Sequence, residues 1–181
     1  MTEQDPARPV SWYGRSKLEG ERQVRENRAG PWFIVRPSVV YGPGDRGLLE
    51  MFAVVSRGLS PILAGGRCRV QMLAGEDLAR ILYAAACRPD MAGRCGFAAG
   101  DVVRTGDLSR FLATLRHPPA RVVHIPALAI RIAGAVETVR QTLTGRTLPF
   151  NQDKAREVLQ PDWLCDSGPL LQDLGIQDLK P

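Results

Sequence analysis

Tyr13 and Lys17 stand four residues apart in the run Trp12-Tyr13-Gly14-Arg15-Ser16-Lys17. On a helix that spacing puts both side chains on one face, within reach of each other. A free phenol, with a pKa of about 10, is a poor base at neutral pH. A neighbouring ammonium favours the phenolate form. A tyrosine so placed could give a proton to a carbonyl oxygen or take one from a hydroxyl. The lysine adds three N–H donors that suit a sugar diol. Alone, the pair reads better as two exposed side chains on an amphipathic helix. Lysine is scarce, with only Lys17, Lys154 and Lys180 among 24 basic residues, so Lys17 is conspicuous.

Other chemistry-bearing types offer less. Cys68, Cys87, Cys95 and Cys165 form no C-x-x-C pair and have no histidine at zinc-ligand spacing, so they read as buried free thiols and no metal site is expected. His117 precedes Pro118-Pro119 and His124 sits in a short apolar run, and both read as structural. The net charge of +5 comes from arginines scattered singly, without the basic blocks or interleaved aromatics of a nucleic-acid surface. No run reaches the roughly 18 apolar residues of a membrane span. The start, Met1-Thr2-Glu3-Gln4-Asp5-Pro6, lacks the basic and apolar regions of a signal peptide, so a cytoplasmic location is expected. An apolar share of 44% and a charged share of 24% are ordinary for a globular protein, and 181 residues suit one domain with at most a small appendage.

The elements that must position Tyr13 and Lys17 follow from patterning. Residues 11–28 read as a helix with Ser11 as N-cap and a stop at 27–31. Trp32-Phe33-Ile34-Val35 is a short continuous apolar run, which suits a strand buried on both faces of a parallel sheet. A Gly/Pro loop at 42–47 leads to a helix at 48–57 closed by Gly58. Strands are expected at 61–64, 69–73, 96–99 and 121–125, and helices at 77–87, 106–115, 126–143, 151–159 and around 170–174. Strands alternating with helices make the fold class α/β.

The longer run Tyr13-Gly14-Arg15-Ser16-Lys17-Leu18-Glu19-Gly20-Glu21, then Phe33-Ile34-Val35-Arg36-Pro37 and Tyr41-Gly42-Pro43-Gly44-Asp45, resembles the catalytic helix and following strand and loop of extended short-chain dehydrogenases, the NAD-dependent epimerase/dehydratase family. Weaker similarity runs on through Gly75-Glu76-Asp77-Leu78-Ala79, Asp153-Lys154-Ala155 and Asp173-Leu174-Gly175. The resemblance implies an NAD or NADP cofactor and a small-molecule substrate with a hydroxyl or carbonyl, a sugar nucleotide among the candidates. It implies that Tyr13 is the general acid/base and that Lys17 holds the nicotinamide ribose and favours the phenolate. It also implies that Pro37, Ser38 and Val39 lie against the nicotinamide end. A Pro-initiated turn after a buried parallel strand agrees, since α/β proteins bind ligands at the carboxyl ends of their strands. Arg69 lies near where sugar-nucleotide members place a phosphate-contacting arginine, and fits a surface arginine equally well.

The pattern breaks at the front. The family opens with a strand, a G-x-x-G-x-x-G turn and a helix, whose glycines and N-terminus receive the pyrophosphate. Gly93, Gly96 and Gly100 only faintly imitate that spacing and follow no buried strand. The family's catalytic Ser or Thr, on a strand before the tyrosine helix, has no counterpart, because Ser11 and Ser16 lie beside or on the helix itself. The expectation is therefore an incomplete Rossmann-like parallel sheet, its first half and dinucleotide fingerprint absent, with a smaller α/β substrate lobe. Residues 1–46 read as a remnant of the cofactor domain and 47–181 as mainly substrate-lobe elements. The strand at 32–35 would lose the partner expected from the missing half, leaving apolar faces open to a second copy or a complementing chain. Two readings result: an oxidoreductase or epimerase inactive as this chain alone, or a non-catalytic fragment or half that assembles with a separate cofactor-binding chain.

Overall fold

The structure is a computed structural model and describes residues 1–27, 30–145 and 150–179. Its first element, α1 (Trp12–Glu26), starts at the N-cap Ser11, whose hydroxyl accepts from the Gly14 N–H at 3.0 Å. Asn27 caps its far end, while residue 28 of the helix expected from sequence, and 28–29 of the expected stop, lie outside the described residues. Strand β1 (Phe33–Pro37) follows and turns at Ser38 into β2 (Val39–Tyr41). The Gly/Pro loop leads through the Asp45 cap into α2 (Arg46–Ser56).

The remaining elements are β3 (Leu59–Leu63), β4 (Arg69–Ala74), α3 (Gly75–Ala86), β5 (Arg94–Ala98), β6 (Asp101–Arg104), α4 (Thr105–Thr114), β7 (Arg121–Ile125), α5 (Ala127–Thr144), α6 (Gln152–Val158), β8 (Asp162–Trp163) and α7 (Gly168–Leu174). The α/β class stands, with β1 parallel to β5, β3 parallel to β7, and β4 parallel to both β2 and β8. Among the described residues only β6 runs antiparallel, against β4. Sequence patterning leaves β2, β6 and β8 unassigned. They are two to four residues long, too short to show a period, and exist because β4 offers them a ladder.

Two apolar clusters hold these layers. Leu73, Ile81, Met91, Ala98 and Leu170 are buried between the β1–β5 and β4 strands and helices α3 and α7. Val55, Leu112, Ala113 and Ala120 pack α2 and α4 over the β3–β7 pair. The turn between β3 and β4 comes so close to α4 that a Cβ on Gly66 would stand 2.6 Å from the Gly106 Cα, and Gly66 also has φ +67. Only two glycines satisfy that approach.

Helix α1 lies on the surface with no fully buried residue. Gly14, Leu18 and Glu21, at i, i+4 and i+7, are its half-buried stripe. Arg36 of β1 clamps that stripe, its Nε and Nη2 donating to the Glu21 carboxylate at 2.8 and 2.6 Å. The guanidinium also lies 5.5 Å from the Phe97 ring centroid of β5. No described helix is long and apolar enough to cross a membrane.

Candidate functional site

Tyr13 and Lys17 occupy the first turn and the next turn of α1. Their common face is open: Tyr13 is 65% exposed. The Lys17 Nζ sits 5.3 Å from the Tyr13 ring centroid, so the ammonium and the phenol meet as their spacing predicts. The two serines nearby serve the helix. Ser11 is buried and caps it, and the Ser16 hydroxyl donates to the Tyr13 carbonyl at 2.8 Å.

The start of α1 has a second anchor that sequence patterning does not reveal. The Trp12 N–H donates to Oδ2 of Asp153, on α6, at 2.8 Å across 141 residues of chain. This carboxylate satisfies one orphan donor of the helix and places negative charge at its positive end. The other oxygen, Oδ1, is buried with no partner among the described residues. Glu157 lies one turn further along α6, where the Lys154 ammonium donates to it at 2.8 Å. Burial pushes the Glu157 carboxyl up, but hydrogen bonds from Lys154 and Ser11 outweigh it and hold it below its ordinary 4.5. The backbone beside Tyr13 is thus fixed by α6. No local signal marks this contact, because it joins the two ends of the chain. The opposite side of α6, with Gln152, Ala155, Arg156 and Leu159, lines with Arg131 of α5 a cleft of about 330 Å3 that excludes Tyr13 and Lys17.

Pro37, Ser38 and Val39 lie where the chain leaves β1 for β2. Pro37 is the last residue paired with β5, the Ser38 N–H donates to the Ala98 carbonyl at 2.8 Å, and Val39 opens the pairing with Met72 of β4. The three residues therefore sit at the carboxyl ends of the parallel β1 and β5. The Ser38 Oγ is buried and has no hydrogen-bond partner among the described residues. A buried hydroxyl normally finds one. An exposed phenol, an ammonium and an unpartnered hydroxyl are each a donor type that suits the nicotinamide–ribose end of a dinucleotide. The pyrophosphate end has no such fit: Gly96 lies inside strand β5, away from any turn that opens a helix.

Other candidates are engaged elsewhere. The Arg69 guanidinium bonds the Asp162 carboxylate at 2.9 and 2.6 Å, bracing the β4–β8 pair. Cys68, Cys95 and Cys165 are half-buried free thiols that burial pushes up, whereas Cys87 is exposed rather than buried as the sequence suggests. Among the described residues no three His, Cys, Asp or Glu side chains gather as metal ligands.

Comparison with known proteins gives this geometry relatives. The family model described as the RmlD substrate binding domain matches residues 1–62. Ceramide reductase of Caulobacter vibrioides is 34% identical over 169 residues, covering 90% of this chain and 51% of that protein. MoeE5, solved in complex with UDP-glucuronic acid and NAD, matches the fold with a TM-score of 0.72 at 19% identity, over 100% of this chain and 55% of that one. DesIV, the dTDP-glucose 4,6-dehydratase of Streptomyces venezuelae solved with NAD and TYD bound, matches with a TM-score of 0.71 at 17% identity, over 100% of this chain and 50% of that one. The solved structures establish a shared fold. The chain spans about half the length of the curated relatives it matches.

Proposed function

This chain belongs to the extended short-chain dehydrogenase/reductase superfamily, and we propose that it carries the proton-transfer and substrate side of an NAD(P)-dependent oxidoreductase or epimerase acting on a hydroxyl or carbonyl. The observation that carries this reading is the Lys17 ammonium set against the exposed Tyr13 ring at 5.3 Å. A reductase is among the sequence relatives, and a sugar-nucleotide dehydratase solved with NAD shares the fold.

In this reading the Tyr13 phenol gives its proton to the substrate carbonyl oxygen in reduction and takes the hydroxyl proton in oxidation. Lys17 offers N–H donors to the ribose diol. Pro37 and Val39 bound the nicotinamide, and Ser38 supplies a hydroxyl with unused bonding capacity. The nicotinamide, when bound, supplies or accepts the hydride. Asp153 and Ser11 keep the first turn of α1, and so Tyr13, in place.

The pyrophosphate needs the family's strand and G-x-x-G-x-x-G turn into a helix, a spacing these 181 residues do not contain, so in this reading activity requires a dinucleotide-binding half. A second reading, a half that assembles with a separate cofactor-binding chain, is favoured by the surface. The accessible area is 12058 Å2, against roughly 8,600 Å2 for a compact monomer of this mass.

Fluorescence titration of NADH and NADPH onto the 181-residue chain tests the requirement. The expected result is no saturable binding up to millimolar cofactor. Saturable micromolar binding would reveal a cofactor site within these residues and overturn it. For the activity itself, the protein completed by a dinucleotide-binding half is expected to oxidise NAD(P)H in the presence of a carbonyl lipid or a nucleotide keto-sugar. Inertness toward both classes despite bound cofactor would refute the oxidoreductase reading.

A further inference from the structure

Strands β2, β4, β6 and β8 form one sheet whose register sorts its residues onto two faces. Paired residues share a face, and neighbours along a strand alternate between faces. Val40 pairs with Leu73, which is buried in the core with α3 and α7, so that face looks inward. The other face carries Val39 paired with Met72, Val70 paired with Val103 and Trp163, and Asp101 paired with Met72. Val39 and Trp163 are 47 and 45% exposed, and Val70, Met72 and Val103 are half-buried. These apolar side chains form one open surface. It begins at Val39, where the chain leaves the carboxyl ends of β1 and β5. The arginines of the sheet fall on the inward parity: Arg69 pairs with Arg104 and Asp162, and the Asp162 carboxylate holds the Arg69 guanidinium at 2.9 and 2.6 Å. The one charge these strands place on the open face is Asp101, which makes no ion pair among the described residues.

We infer that this face takes the apolar body of the substrate, so that the reacting carbonyl belongs to an aliphatic, lipid-like molecule rather than to a nucleotide sugar. The inference rests on the oxidoreductase reading and names its substrate class. The carbonyl carbon accepts hydride from the reduced nicotinamide and its oxygen accepts the Tyr13 proton, leaving the alcohol and the oxidised cofactor. The reacting carbon must therefore lie beside Ser38 and Val39, and the rest of the substrate runs along the surface that continues from Val39. A nucleotide sugar brings phosphates, which need guanidinium or ammonium partners when water is removed. This face offers neither, and Asp101 repels them. An alkyl chain gains from the same valines and methionine. A dinucleotide-binding half would extend β1, whose pairing with β5 is a separate sheet, and so leaves this face to the substrate. Val70, Met72 and Val103 are then specificity-determining residues. Sequence reasoning keeps a sugar nucleotide among the candidates because only the register puts Arg69 and Val70 on opposite faces.

The experiment is NAD(P)H oxidation by the natural gene product, with a homologous series of 2-alkanones and with a dTDP-linked 4-keto sugar. The expected kcat/KM rises about two- to fourfold with each added methylene until the face is covered. The keto sugar is expected to react no faster than the shortest alkanone. Val103→Asp sets a second carboxylate on the face and is expected to flatten the rise through KM, leaving the rate with the shortest alkanone unchanged. A melting curve checks that this variant folds, and the series on the parent protein decides the matter if it does not. A flat series, or a keto sugar preferred over every alkanone, would overturn the inference and leave the oxidoreductase reading standing. An undiminished rise in folded Val103→Asp would overturn it too. Inertness toward both classes with cofactor bound would remove the oxidoreductase reading and this inference with it.

Discussion

Tyr13 is worth most to the protein where it is worth least to the fold. Its side chain is 65% exposed, so removing the hydroxyl leaves packing untouched. Tyr13→Phe is expected to lower kcat/KM for carbonyl reduction by about 10²- to 10⁴-fold, the usual share of a positioned acid/base. Its unfolding free energy should stay within about 0.5 kcal/mol of the parent. Steady-state NAD(P)H oxidation and chemical denaturation of the completed enzyme would check both, and full activity in the variant would remove Tyr13 from the proton path. The Tyr13–Lys17 meeting was legible in sequence, because i, i+4 spacing on a capped helix leaves few alternatives. The unpartnered Ser38 hydroxyl was not, since burial of one oxygen depends on strands β4 and β5 arriving from elsewhere.

Among the elements, α1 is held by charges more than by apolar contact. With no fully buried residue, it depends on Glu21–Arg36 along its side and on Asp153 at its start. Asp153→Ala removes a remote cap and is expected to cost about 1 kcal/mol. Asp153→Asn keeps an acceptor for the Trp12 N–H and should recover most of that loss. Urea melts together with amide exchange at residues 12–15 would read both, and equal protection in all three proteins would contradict the cap. Acid should act on the same joint through Glu157. Its folded pKa is below the ordinary 4.5, so its contribution is fully present above that value and is lost as pH falls through the depressed one. Stability should therefore decline below about pH 4.5, and Glu157→Gln should flatten that decline when melts are compared between pH 6 and 3. The helices and the longer strands were readable from the Ser11 cap, from glycine stops such as Gly58 and from apolar runs, whereas the Asp45 and Asn151 caps emerge only in the structure. The α6–α1 joint was not, because nothing local distinguishes a carboxylate that caps its own helix's neighbourhood from one that caps a helix 141 residues away.

At the scale of the whole molecule, the unsatisfied surface divides into two parts with different chemistry. One part is the α1–β1 side: β1 is paired only with β5 among the described residues, and Trp12, Tyr13 and Val24 stand exposed on the helix. An open parallel edge beside an under-packed helix is what a neighbouring Rossmann half would cover. The other part is the exposed apolar stripe that Leu128, Ile132, Val136, Val139 and Leu143 draw along α5, turned away from α6. If the two differ in this way, a dinucleotide-binding half should protect the first and leave the second alone. Hydrogen exchange on the 181-residue chain is expected to show fast exchange through residues 12–26 and 33–37. Supplying that half, within the natural gene product or in trans, should slow exchange there by on the order of 100-fold. The outward face of α5 should still react with a surface probe at Leu128 and Leu143. Protection of α5 by the dinucleotide half itself would instead assign its stripe to that interface and make the two parts one surface.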